Sequence, residues 1–97
     1  MYLIRDVFNC KPGRVKDLVA KFKRAMSLMQ APGMGNWRVM TDTVGGYWTV
    51  VTESEVDELK TYFDMASSEA DTPEVAKAME GYHDLITGGH REIYRIE

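Results

Sequence analysis

Few side chains in this sequence suit chemistry on a small molecule, and they gather in two places. Tyr82 and His83 fall near the end of an apolar series formed by Val75, Ala76, Met79, Tyr82 and Ile86. On a helix, His83 follows Met79 by four residues and Ala76 by seven, so it flanks that stripe and can serve as a general base near neutral pH. Tyr82 can offer a phenolic hydroxyl, although a core tyrosine bonded to a carbonyl is an equally simple reading. The second place is a set of extended segments carrying Asn9, Asn36, Arg38, Trp37, Tyr47 and Trp48. There a guanidinium suits a phenolate or carboxylate, and three large rings suit a flat aromatic ligand or a subunit contact. The candidate catalytic residues are therefore His83, Tyr82 and Arg38, and the candidate substrate-binding residues are Asn9, Asn36, Trp37 and Trp48. His90 and Arg91 read as a surface pair.

Other chemistries lack their residues. No cluster of His, Cys, Asp and Glu has metal-ligand spacing, and Gly45-Gly46 precedes an extended run where a phosphate loop would follow one. No metal and no cofactor is expected. Cys10 is the single cysteine among 97 residues, which excludes an intrachain disulfide and a C-x-x-C site and suits a small buried hydrophobe. The net charge of −3 is divided unevenly. Six cations and one acid lie between Lys11 and Arg24, but ten acids and two cations between Glu53 and Asp84. That division can steer an anionic ligand or orient two subunits, and it can equally be two solvated helix faces. The cations lie on a helix and not across a sheet, so nucleic acid is not expected as a partner. No run of eighteen apolar residues occurs, and Arg5 and Asp6 interrupt the first strand, so no membrane partner and a cytoplasmic location are expected.

The elements that must position these residues follow from periodicity. Tyr2 to Cys10 alternates with Tyr2, Ile4, Phe8 and Cys10 on one side and Leu3 and Val7 on the other, the pattern of a central strand. Lys11-Pro12-Gly13 turns the chain into a helix whose inner stripe is Val15, Leu18, Val19, Phe22, Ala25, Met26 and Met29. The segment from Gln30 to Gly35 ends that helix and links it onward. Residues 36–41 and 47–52 then form an antiparallel hairpin around Asp42 to Gly46. Thr52 or Ser54 caps a second helix, with Thr52 and Glu55 at capping-box spacing and Val56, Leu59, Tyr62, Phe63 and Ala66 inside. It closes near Ser67, and a link without apolar period reaches Thr72. A third helix starts at Thr72-Pro73 and stops at Gly88-Gly89, and residues 90–96 alternate as a last strand.

The resulting order, β-α-β-β-α-α-β in one α+β domain over residues 1–97, is ferredoxin-like: a four-stranded antiparallel sheet with helices on one face. The other face is left carrying apolar groups drawn from Leu3, Val7, Met40, Trp37 or Trp48, Ile93 and Tyr94. A homodimer through the open sheet face would cover them. This element order, the Lys11-Pro12-Gly13 turn, the split second and third helices and the terminal strand resemble the dimeric α/β-barrel superfamily. Its members include antibiotic-biosynthesis monooxygenase-like, EthD-like and NIPSNAP-like proteins. The resemblance implies a homodimer with a cavity between sheet and helices in each subunit, used across relatives for oxygenation, isomerisation, haem breakdown or binding. Relatives that degrade haem ligate its iron with a histidine of the last helix; Glu80 occupies that place here, with His83 almost a turn further on, so haem is not expected. The expectation is a small-molecule-binding homodimer of the cofactor-free monooxygenase-like type acting on a planar aromatic or enolic substrate. The alternative is a non-catalytic dimeric sensing or assembly module.

Overall fold

In a computed structural model of the chain, residues 1–29, 33–68 and 72–97 are described. β1 (Tyr2–Cys10) leads through the Pro-Gly turn into α1 (Val15–Leu28); β2 (Met34–Thr41) and β3 (Thr49–Val56) form the hairpin. α2 (Leu59–Ser68), α3 (Pro73–Ala78), a 3-10 turn over Tyr82–Leu85 and β4 (Ile86–Arg95) complete the chain. The four strands lie in the order β2-β3-β1-β4, antiparallel throughout. This is the expected ferredoxin-like sheet, with β1 and β3 central. Gly13, at φ 79°, takes the left-handed conformation that the turn into α1 needs. The links expected at residues 30–32 and 69–71 lie outside the described residues.

The register assigns the two sheet faces, because residues directly opposite in an antiparallel pair point the same way. Ile4 faces Ser54 on one side and Ile93 on the other, Asp6 faces Thr52 and Arg91, and Phe8 faces Val50 and Gly89. These rows lie under the helices, where Cys10, Leu18, Val50 and Leu85 form one buried cluster and Ile4, Val56 and Tyr62 another. The buried Cys10 thiol has its pKa raised, first by burial and then by Asp42, and so stays protonated and unreactive. Gly89 is required by packing: a Cβ there would stand 2.3 Å from the Val7 carbonyl oxygen.

Three expectations are corrected. The second helix does not start at Thr52 or Ser54, because β3 continues to Val56, in register with Tyr2 of β1 and Met34 of β2. A ladder shared with two neighbours outweighs a single capping box. The third helix ends at Ala78, and Gly88-Gly89 belongs to β4 instead of stopping a helix. Gly81, at φ 80°, breaks the helical path and gives way to the 3-10 turn. Lastly, Phe63 is 54% exposed, unlike its stripe neighbour Tyr62, 4% exposed. Phe63→Ser is accordingly expected to change unfolding free energy by less than about 1 kcal/mol in denaturant melts. A loss above about 2 kcal/mol would place Phe63 in the core.

The uncovered face is apolar at its margins and charged at its centre. Leu3, Val7, Met40, Val51 and Tyr94 lie there, whereas Ile93 sits on the helix side opposite Ile4, and Trp37 lines the space beneath the helices. Between the apolar groups, Glu53 is only 5% exposed and pairs with Arg38 and Arg5. Arg5 also approaches Glu92, which accepts hydrogen bonds from the Tyr94 hydroxyl and pairs with His90. Tyr94 first and His90 second hold the Glu92 carboxyl below its usual range, and the same contact raises the Tyr94 hydroxyl.

Candidate functional site

Between the helix-side face of the sheet and the helices lies a cavity of about 490 Å³. Its walls are mostly apolar: Ile4 and Phe8 from β1, Phe22, Ala25, Met26 and Met29 from α1, Tyr62 and Met65 from α2, and Val75 and Met79 from α3 and the turn after it. The Phe8 and Phe22 rings pack at 4.9 Å between centroids, joining sheet to helix. At the other side, the Lys21 ammonium donates to the Glu80 carbonyl and ties α1 to the turn that carries Tyr82 and His83.

Polar groups enter this wall in one row across the sheet. Thr52, Asp6 and Arg91 come from β3, β1 and β4 as cross-strand neighbours, and Ser54 follows one row on. Arg91 donates from Nε to an Asp6 carboxylate oxygen, and its guanidinium carbon lies 5.4 Å from the Tyr62 ring centroid. A planar cation held by a carboxylate and lying over an aromatic face is a prepared surface for an anionic oxygen or a flat conjugated system. Asp6 and Arg91 were not among the residues singled out by sequence. The expected surface pair of His90 and Arg91 is corrected, because neighbours on a strand face opposite ways: His90 points to the uncovered face and pairs with Glu92, while Arg91 lines the cavity. The available signal was the alternation itself, since Asp6 falls between Ile4 and Phe8 on the face that the buried residues share.

The sequence candidates divide. Tyr82, His83 and Trp37 all line the cavity, and the Tyr82 and His83 rings stack with centroids 3.9 Å apart. His83 is exposed on its 3-10 turn, so it stands at the rim with access to water. The others lie elsewhere. Arg38 is on the uncovered face, donating to Glu53 at 2.7 Å. Asn9 is exposed, on the face opposite Phe8, and Asn36 is exposed in the irregular part of β2 at φ 53°. Trp48 lines a separate open hollow with Lys16, Val19 and Lys23 of α1. Arg38 is thus removed from cavity chemistry by a register in which it opposes Glu53, and the ring cluster of the hairpin is split between the cavity and the outer surface. Among the described residues no group of His, Cys, Asp and Glu could hold a metal ion.

No family model matches the chain, and no curated protein matches it in sequence. Solved structures do match. A protein of Chloroflexus aurantiacus described as an antibiotic-biosynthesis monooxygenase superposes with a TM-score of 0.75 at 15% identity, covering 99% of this chain and 93% of that one. A NIPSNAP-like domain protein of Burkholderia xenovorans gives 0.80 at 14% identity, covering 99% and 84%. A mutant of MhuD, solved with two manganese protoporphyrin IX groups per active site, gives 0.75 at 13% identity, covering 99% and 94%. The chain shares its fold with antibiotic-biosynthesis monooxygenase-like and NIPSNAP-like proteins, as its element order led one to expect.

Proposed function

We propose that the chain is a cytoplasmic homodimer, one domain per subunit, that binds a planar aromatic or enolic molecule in this cavity and oxidises it with molecular oxygen in the manner of a cofactor-free monooxygenase. The observation that carries the reading is the Asp6–Arg91 pair, half exposed at Arg91 and set beside Thr52 and Ser54 in a mostly apolar wall. Ligand pockets use a few fixed polar groups to orient a molecule held mainly by apolar contact, and the cavity has that make-up. The relatives described as monooxygenases support the oxidative part of the reading, and the porphyrin held by the MhuD mutant supports a flat conjugated ligand.

In the proposed step, His83 at the rim takes a proton from the enol or phenol, and the Arg91 guanidinium steadies the anion. The electron-rich carbon then bonds to one atom of O2, and the resulting peroxide anion takes up the proton held by His83. The hydroperoxide loses its remaining C–H proton and its distal hydroxide as water, breaking the O–O bond and leaving a carbonyl. The balance is CH2 + O2 → C=O + H2O. Tyr82 can donate to the departing oxygen. Asp6 keeps Arg91 aimed across the sheet, and the apolar walls hold the flat part of the substrate.

Oxygen uptake on a panel of polyphenols, hydroquinones and anthrone-like enols tests the reading, with binding measured in parallel. His83→Ala is expected to lower turnover about tenfold, less than for a fully enclosed base, because water reaches the rim and takes over part of the proton transfer. Ligand binding with no turnover in the parent protein would favour the sensing module, a reading that His83's exposure also supports. Unchanged turnover in the variant would remove His83 from the step.

A further inference from the structure

Away from the cavity, one surface combines exposed apolar side chains with cations. The loop between β2 and β3 projects Val44, Tyr47 and Trp48, which are 97%, 87% and 42% exposed. This loop is pinned. The Trp48 carbonyl accepts from the Cys10 N–H at 2.7 Å, the Asp42 carboxylate accepts from the Thr49 N–H at 2.9 Å, and the Thr49 hydroxyl donates to the Gly46 carbonyl at 2.8 Å. Trp48 is held at φ 62°, a conformation that bulky residues rarely adopt. The backbone that carries the indole is thus fixed, and Trp48 lines an open hollow shared with a stripe of α1 made by Lys16, Val19, Ala20 and Lys23 at i, i+3, i+4 and i+7. Among the described residues Lys16 and Lys23 form no ion pair, whereas Arg14 is matched by Asp17.

We infer that this surface docks the protein on an anionic lipid bilayer, with Val44, Tyr47 and Trp48 in the interfacial layer and Lys16 and Lys23 against the headgroups. Charge selects the occupant: the nearby acids are engaged, Asp42 by the Thr49 amide and Asp17 by Arg14, which leaves the lysines to face a negative surface. Shape and composition select a bilayer over a folded partner. A projecting tip with separated apolar groups needs no preformed pocket in a fluid layer, and Trp and Tyr favour the region where one end of the ring is apolar and the other wet. A second copy on the uncovered sheet face leaves the hollow between Trp48 and the α1 lysines open, because α1 covers the opposite face of the sheet. Surface docking departs from the absence of a membrane partner expected from sequence, but it differs from spanning: among the described residues no helix is long and apolar enough to cross a membrane.

Co-sedimentation of the full chain with phosphatidylcholine vesicles, with and without about 30 mol% phosphatidylserine, decides the matter. Binding is expected with phosphatidylserine only, and about 0.5 M salt should abolish it. Val44→Ser/Tyr47→Ser alters two side chains that are almost wholly in solvent, and Lys16→Glu/Lys23→Glu reverses the stripe; each pair is expected to weaken binding at least about tenfold. Failure to bind anionic vesicles, or binding that both variants leave intact, overturns the inference. So does a change of oligomeric state in either variant, which would make the patch a subunit contact. Retention on polyglutamate without vesicle binding would assign it to an acidic protein instead.

Discussion

Arg91→Met is expected to lower turnover of an enolic substrate by about 10- to 10²-fold, below the range for an enclosed donor, because the Arg91 side chain is half exposed and water screens its charge. Methionine keeps an unbranched apolar stem while deleting the guanidinium, whose carbon lies 5.4 Å from the Tyr62 ring centroid, so a denaturant melt of the variant separates loss of charge from loss of that contact. The deficit should fall mainly on kcat, because the positive charge matters more to the anion than to the neutral substrate. Asp6→Asn should give a smaller loss: the amide oxygen still accepts a hydrogen bond, but Arg91 is held less firmly. Oxygen-electrode rates across substrate concentrations separate these outcomes. Equal kcat in Arg91→Met and the parent would place the chemistry outside the polar row, even if the cavity still binds ligand.

The sequence revealed the cavity's walls more readily than its polar row. α1 was legible because Leu18, Phe22 and Ala25 repeat at helical spacing, and β1 because apolar groups alternate on both its faces. Those signals are strong wherever one residue type dominates a face. β3 gave the opposite case. Val50, Thr52, Ser54 and Val56 share its inner face, but Thr52 and Ser54 also make good helix caps, and only pairing with β1 and β2 decides between the two. Asp6 and Arg91 lie 85 residues apart in sequence, so no local pattern joins them. Arg38 illustrates the reverse: a strand arginine near aromatic residues suggests a ligand, yet one step of register sends it to the other face. Tyr82 and His83 were placed by a helical period that the chain does not keep, since Gly81 breaks it. They reach the cavity all the same, because the 3-10 turn still faces the sheet.

The uncovered face yields the second large effect. Glu53→Gln is expected to raise the dissociation constant of the proposed homodimer at least about thirtyfold, corresponding to the lower part of the 2–5 kcal/mol typical of breaking a buried interfacial charge pair. Glu53 sits under two arginines, accepting from Arg38 at 2.7 Å and lying 3.5 Å from Arg5, and is itself only 5% exposed. In a single subunit Arg38 and Arg5 remain 62% and 41% exposed, so water still serves them and the loss of Glu53 costs little. Packing a second face over Leu3, Val7, Met40 and Val51 would strip that water, and each guanidinium would then depend on the Glu53 carboxylate. Arg5 Nε already lies out of solvent without a hydrogen bond among the described residues. Glutamine has nearly the same shape and keeps one acceptor, so the fold should survive and the subunits should separate. Sedimentation equilibrium over a range of concentrations reads the change, with circular dichroism as the check on folding. A parent protein that stays monomeric, or a variant that associates as tightly as the parent, would remove this face as the place where two copies meet.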